Sequence, residues 1–92
     1  MAHGFGISMD EISANDISII MDKQGYTTTI TGSSVSVTNQ TGDHVVVDVV
    51  DGVYTIIGNG KEVNRKSSNS AMKHIKVSLD TITKKRLSAC YD

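Results

Sequence analysis

His44-Val45-Val46-Val47-Asp48-Val49-Val50-Asp51-Gly52-Val53-Tyr54-Thr55-Ile56-Ile57-Gly58 is the stretch that decides the fold of this chain. Two runs of β-branched and aromatic residues flank Asp51-Gly52, a dipeptide suited to a two-residue type I′ turn because both central positions of that turn need positive φ. Such a turn fixes the register: Val49 faces Tyr54, Asp48 faces Thr55 and Val47 faces Ile56. Side chains alternate across a strand, so Val45, Val47, Val49, Tyr54 and Ile56 share one face, the expected core face. The other face carries Val46, Val50, Val53 and Ile57 around Asp48. It is more apolar than a surface left to water requires, which marks these four residues as a candidate partner-binding surface.

Working outward, Asn39 to Asp43 reads as a polar loop, preceded by a Thr/Ser-rich hairpin over Tyr26 to Thr38. There Tyr26, Thr28 and Ile30 fall on one side, and beyond Gly32-Ser33-Ser34 the pair Val35 and Val37 face one way with Ser36 and Thr38 opposite. On the far side of the valine hairpin, Asn59-Gly60 is a second turn dipeptide, leading into a short edge strand Lys61-Glu62-Val63. Four or five antiparallel strands in a meander are therefore expected.

Helices flank them. Ser8 and Glu11 form a Ser-x-x-Glu capping box with Ile7 and Ile12 placed to staple it, while Ser13 with Asp16 offers a competing start five residues on. Ala14, Ile17, Ile20 and Met21 are the expected buried face, and Gly25 follows the helix end. After a polar loop from Asn64 to Asn69, a second helix from about Ser70 to Ser88 lines up Met72, Ile75, Leu79 and Ile82 at spacings of three and four. The expected fold is α+β: an N-terminal helix, the meander and a C-terminal helix, with both helices on one face of the sheet.

The 92 residues are too few to divide between two cores, and 38% hydrophobic with 21% charged residues lies near the globular average, so residues 1–92 are expected to form one domain. Cys90 is the single cysteine, which leaves no intramolecular disulfide. The N-terminus has neither the basic start nor the apolar run of a secretory signal, and no stretch of about 18 apolar residues occurs. A soluble, cytoplasmic protein with no membrane association is expected.

The net charge of −1 conceals a segregation. Residues 1–60 hold one basic residue, Lys23, against Asp10, Glu11, Asp16, Asp22, Asp43, Asp48 and Asp51; residues 61–92 hold eight basic residues against Glu62, Asp80 and Asp92. Helix dipoles account for part of this if Asp10 and Glu11 lie in a first turn and Lys84, Lys85 and Arg86 near a last one. A basic surface for phosphates, or opposite charges that assemble protomers, would account for it otherwise.

Gly58 to Ser70 combines glycines, basic residues and hydroxyls ahead of a helix, a setting that binds anions, with Lys61, Arg65, Lys66 and Ser70 as candidate ligand contacts. It is not the phosphate loop of nucleotide hydrolases, because Glu62 follows the Gly-Lys pair. Nucleic acid is a weaker expectation: the basic residues are spread around the second helix, only Phe5, Tyr26, Tyr54 and Tyr91 could stack on bases, and the pI is about 6.2. His3, His44 and His74 are isolated, so no metal site is predicted, and the Met1-Ala2-His3 spacing is lost once the initiator methionine is removed. No cofactor or catalytic residue is predicted. His44 and Asp48 share a side of their strand two pleats apart, Gly4-Phe5-Gly6 follows no strand, and Asn39-Gln40-Thr41 is an acceptor sequence for glycosylation only in an exported protein.

The expected function is therefore that of a small non-enzymatic binding protein, acting through a protein partner or through its own oligomer. A compact inhibitor or accessory protein of a phage or other mobile element fits that description. The alternatives are a phosphate or nucleotide binder with its anion site at the entrance to the second helix, and a nucleic-acid-binding accessory protein.

Overall fold

The computed structural model describes residues 8–90, apart from the Cys90 side chain. Met1-Ala2-His3, Gly4-Phe5-Gly6, Ile7 and Tyr91 lie outside the described residues. Helix α1 (Met9–Lys23) is followed by strands β1 (Thr27–Thr31), β2 (Ser34–Thr38), β3 (His44–Val50), β4 (Val53–Gly58) and β5 (Lys61–Arg65), then helix α2 (Ser68–Cys90). The strands form one antiparallel sheet in sequence order, β1-β2-β3-β4-β5. The fold is the expected α+β meander, with five strands.

The β3–β4 hairpin has the register that Asp51-Gly52 imposes: Val49 opposite Tyr54, Asp48 opposite Thr55 and Val47 opposite Ile56. Both turn residues have positive φ, 51° at Asp51 and 77° at Gly52, as a type I′ turn demands. The turn is also held from outside, because the Asp10 carboxylate in the first turn of α1 accepts from the backbone N–H of Asp51 (2.9 Å) and Gly52 (3.0 Å). A carboxylate over two convergent N–H groups ties the start of the chain to the middle of its sheet.

Val35, Val37, Val45, Val47, Val49, Tyr54 and Ile56 are buried together with Ala14, Ile17 and Met21 of α1 and Ala71, Met72, Ile75 and Leu79 of α2. All seven strand residues point to one face, so both helices cover that face, α1 over β1 to β3 and α2 over β3 to β5. Helix α1 starts at the Ser8 capping box, with Glu11 N donating to Ser8 Oγ and Ser8 N donating to Glu11 Oε1; the Ser13 start is not used.

Ile20, expected in the core, is 36% exposed, and Ser18 is buried in its place. Thr28 of β1 donates its hydroxyl to Asp22, so Ser18 donates to Thr28, and the buried Ser18 hydroxyl is satisfied. Helix α2 starts before the expected Ser70, because Ser67 caps it: Ser67 Oγ accepts from Ser70 N at 3.2 Å. The expected loop from Asn64 is correspondingly shorter, as β5 extends to Arg65.

Candidate functional site

The outer face of the sheet is the face that neither helix covers. Val46 pairs directly with Ile57, and Val50 with Val53. Val50 is 58% and Ile57 40% exposed, while Val46 and Val53 are half-buried by their neighbours. Between the two apolar pairs runs a polar row, Thr31, Ser34, Asp48, Thr55 and Asn64, one residue from each strand. Within it Ser34 donates to Asp48, and Thr55 donates to Asn64 at 2.9 Å. The candidate partner residues Val46, Val50, Val53 and Ile57 thus lie on one face, as two apolar bands on either side of a hydrogen-bonded polar strip.

At the end of the hairpin the Val46 and Ile57 band runs into a hollow of about 550 Å³, lined also by His44, Asp43 and Asn59 and backed by Ile82 of α2. One wall is a loop locked to α2. Asn39 Oδ1 accepts from the backbone N–H of Thr41 and Asp43, while its side-chain amide donates to Thr83 Oγ1. The buried Asp43 carboxylate accepts from Thr83 Oγ1 (2.6 Å) and, side-on, from Nε and Nη2 of Arg86, each at 3.1 Å. The Arg86 guanidinium, then the Thr83 hydroxyl, hold the Asp43 carboxyl well below the usual carboxylate range.

The anion candidates are only partly brought together. Arg65 and Ser70 meet Lys73 and His74 around a shallow hollow of about 230 Å³ between β5 and α2. Lys61, at the other end of β5, lines a neighbouring hollow of about 200 Å³ that shares His74 and Val77 with the first. Lys66 is exposed and lines neither of the two. The Ser70 N–H is already taken by the Ser67 hydroxyl, which removes one of the free backbone donors the sequence offered. Partial burial, then the charge of Arg65, pushes the His74 imidazole below its ordinary value of 6.5.

The segregated charges prove to be largely structural on the acidic side. Asp10 holds a turn, Glu11 completes a cap, and Asp22, Asp43 and Asp48 bind hydroxyls. The Asp43–Arg86 pair bridges the acidic and basic parts of the chain, whereas Lys84–Asp80 stays within the basic one. The dipole account fits α1, with Asp10 and Glu11 in its first turn and Lys23 in its last. It does not fit α2, which continues past Ser88, so that its last turn contains no basic residue.

His44 and Asp48 lie on the outer face, and Asp48 is engaged by Ser34 rather than by histidine. Among the described residues no group of three or more His, Cys, Asp or Glu is placed to hold a metal ion, and no helix is long and apolar enough to cross a membrane. Tyr54 is buried and Tyr26 packs against the core, so neither presents a free ring to a base. No protein-family model matches the chain, and neither a curated protein nor a solved structure matches it.

Proposed function

We propose that this chain is a small non-enzymatic binding protein whose open sheet face docks a protein partner. The observation that carries the reading is the pairing of Val46 with the exposed Ile57 and of Val53 with the exposed Val50 on a face that neither helix covers. Covering these side chains supplies the hydrophobic part of association, and the polar row that includes Asp48 between them supplies orientation. The compact, motif-poor chain fits an inhibitor or accessory protein of a phage or other mobile element, a class in which recognition alone suffices.

The test uses Val50→Lys and Ile57→Asp, both at exposed positions. Each should abolish capture of partners from the native host while far-UV circular dichroism stays unchanged, and Lys61→Ala should retain capture. A partner profile indifferent to both face substitutions refutes the reading.

A second reading, capture of a phosphate-bearing molecule, is favoured by the convergence of Arg65, Ser70, Lys73 and His74 between β5 and α2. It requires that phosphate or a nucleotide raise the melting temperature and that Arg65→Ala with Lys73→Ala remove the effect. Nucleic acid fits less well, because neither Tyr26 nor Tyr54 is free to stack.

A further inference from the structure

The two edges of the sheet are built differently. β5 carries Lys61, Glu62 and Arg65 among its five residues, the kind of charge by which natural sheets discourage another strand from pairing. β1, Thr27-Thr28-Thr29-Ile30-Thr31, has no charge and no proline, and it pairs with β2 in unbroken register without a bulge. Ile30 on this edge is 41% exposed. Ile19 of α1 is 46% exposed and flanks the same edge, since its neighbours Ser18 and Asp22 both reach Thr28.

The hairpin geometry identifies which backbone groups of β1 are open. Gly32 alone of the two turn residues has positive φ, at 61°, so the turn is of the two-residue type with glycine first, and Thr31 and Ser34 close it as a hydrogen-bonded pair. Alternation then turns the N–H and C=O of Thr27, Thr29 and Thr31 toward β2, and those of Thr28 and Ile30 away from the sheet. The bond from Val49 N to Ser33 O, 2.9 Å, obeys the same alternation on the other side of β2. Among the described residues no strand lies beyond β1.

We propose that β1 pairs antiparallel with β1 of a second copy of this chain, about a two-fold axis at Thr29, joining two five-stranded sheets into one of ten strands. Thr28 of each copy then faces Ile30 of the other, and all outward groups of both strands are used in four hydrogen bonds. No other register satisfies every one of them within the strand. The pattern is its own complement, so a second copy satisfies every outward group symmetrically, and the uncharged Thr-Thr-Thr-Ile-Thr edge places no like charges opposite each other in that pairing. The shared edge is about 17 Å long and, with the flanking isoleucines, covers roughly 600–900 Å² in total, so the dimer belongs to the weak, reversible class. Because the axis is normal to the sheet, both outer faces point the same way, with their Val46–Ile57 bands roughly 30 Å apart.

Cysteine linkage tests the register, in a Cys90→Ser background. Thr29 faces its own counterpart across a non-hydrogen-bonded pair, where Cα atoms about 4.5 Å apart suit a disulfide; Thr31 faces Thr27 of the other copy, and its own counterpart is roughly 13 Å away. Thr29→Cys should give a covalent dimer under oxidised glutathione at least about tenfold faster than Thr31→Cys. Ile30→Pro deletes an outward donor and the isoleucine side chain from each copy while leaving the bonds to β2 intact, and should raise the dimer Kd at least about 30-fold in sedimentation equilibrium with unchanged far-UV circular dichroism. A wild-type protein that stays monomeric at several hundred micromolar overturns the proposal. So does equal linkage at both positions, or a dimer that links through Ile57→Cys on the outer face instead.

Discussion

Gly58 closes β4 between Val45 of β3 and Ser78 of α2, and Gly58→Ala tests how tightly they are fitted. A Cβ placed there would lie 2.5 Å from Val45 Cγ1, 3.3 Å from Val45 Cβ and 3.4 Å from Ser78 Oγ. Val45 is 1% exposed and sits mid-core on β3, and a β-branched side chain has few other rotamers to adopt. Relief therefore requires moving a strand or lifting α2, an overpacking that costs about 2 kcal/mol and lowers Tm by about 8–16 °C in a domain of this size. Val45→Ala alone should cost about 2–3 kcal/mol from lost burial and the cavity left behind. Because it also removes the clashing methyl, the double variant should cost little more than Val45→Ala, giving a coupling of about 1–2 kcal/mol in a double-mutant cycle. Urea denaturation followed by circular dichroism at 222 nm measures all four corners. Strict additivity, or a Gly58→Ala variant within about 0.5 kcal/mol of wild type, would show that the close approach is not constraining.

Two further expectations concern pH. Asp43 is depressed below its ordinary value of 3.8 in the folded state, so its contribution to stability is fully present above that value and is lost as pH falls through the folded value. Asp43→Asn should therefore flatten the acid limb of stability below pH 4 in urea titrations, and an unchanged limb would remove the carboxylate from the account. His74 is a base with a lowered folded value: its protonation favours the unfolded chain, so stability present above its ordinary 6.5 declines as pH falls below it. His74→Gln should lessen that decline, and Arg65→Ala should move the His74 imidazole midpoint upward in proton NMR; a stationary midpoint would contradict the assigned charge effect.

The β3–β4 hairpin was legible because two independent signals agreed, alternation along the strands and a turn dipeptide that permits one register. The same logic located β5 at Asn59-Gly60, but its polar edge residues Asn64 and Arg65 looked like loop, since an edge strand has no buried face to mark its end. Several serines near the start of α2 could cap it, and Ser67 is the one whose hydroxyl accepts from a first-turn N–H. Ser18 replaced Ile20 in the core because a threonine hydroxyl stood opposite, a contact between residues ten apart that helical periodicity does not encode. The apolar outer face could be read directly from the hairpin pattern. The clasp between Asp43 and Arg86 could not, as it joins residues 43 positions apart by charge and hydrogen bonding alone. Lys61 and Arg65 looked like neighbours in sequence, yet they sit at opposite ends of one strand.

The meander has a consequence for how the chain comes together as it is synthesised. Every strand joins the one just made, so the sheet can grow by short-range closures, the kind that form quickly. Its roof arrives in two instalments: α1 precedes all five strands and shelters β1 to β3, while α2 comes last and shelters β4 and β5. Until that last helix leaves the ribosome, Tyr54 and Ile56 have a floor but no ceiling, and a nascent chain stalled after Arg65 would present them to the solvent or to a chaperone.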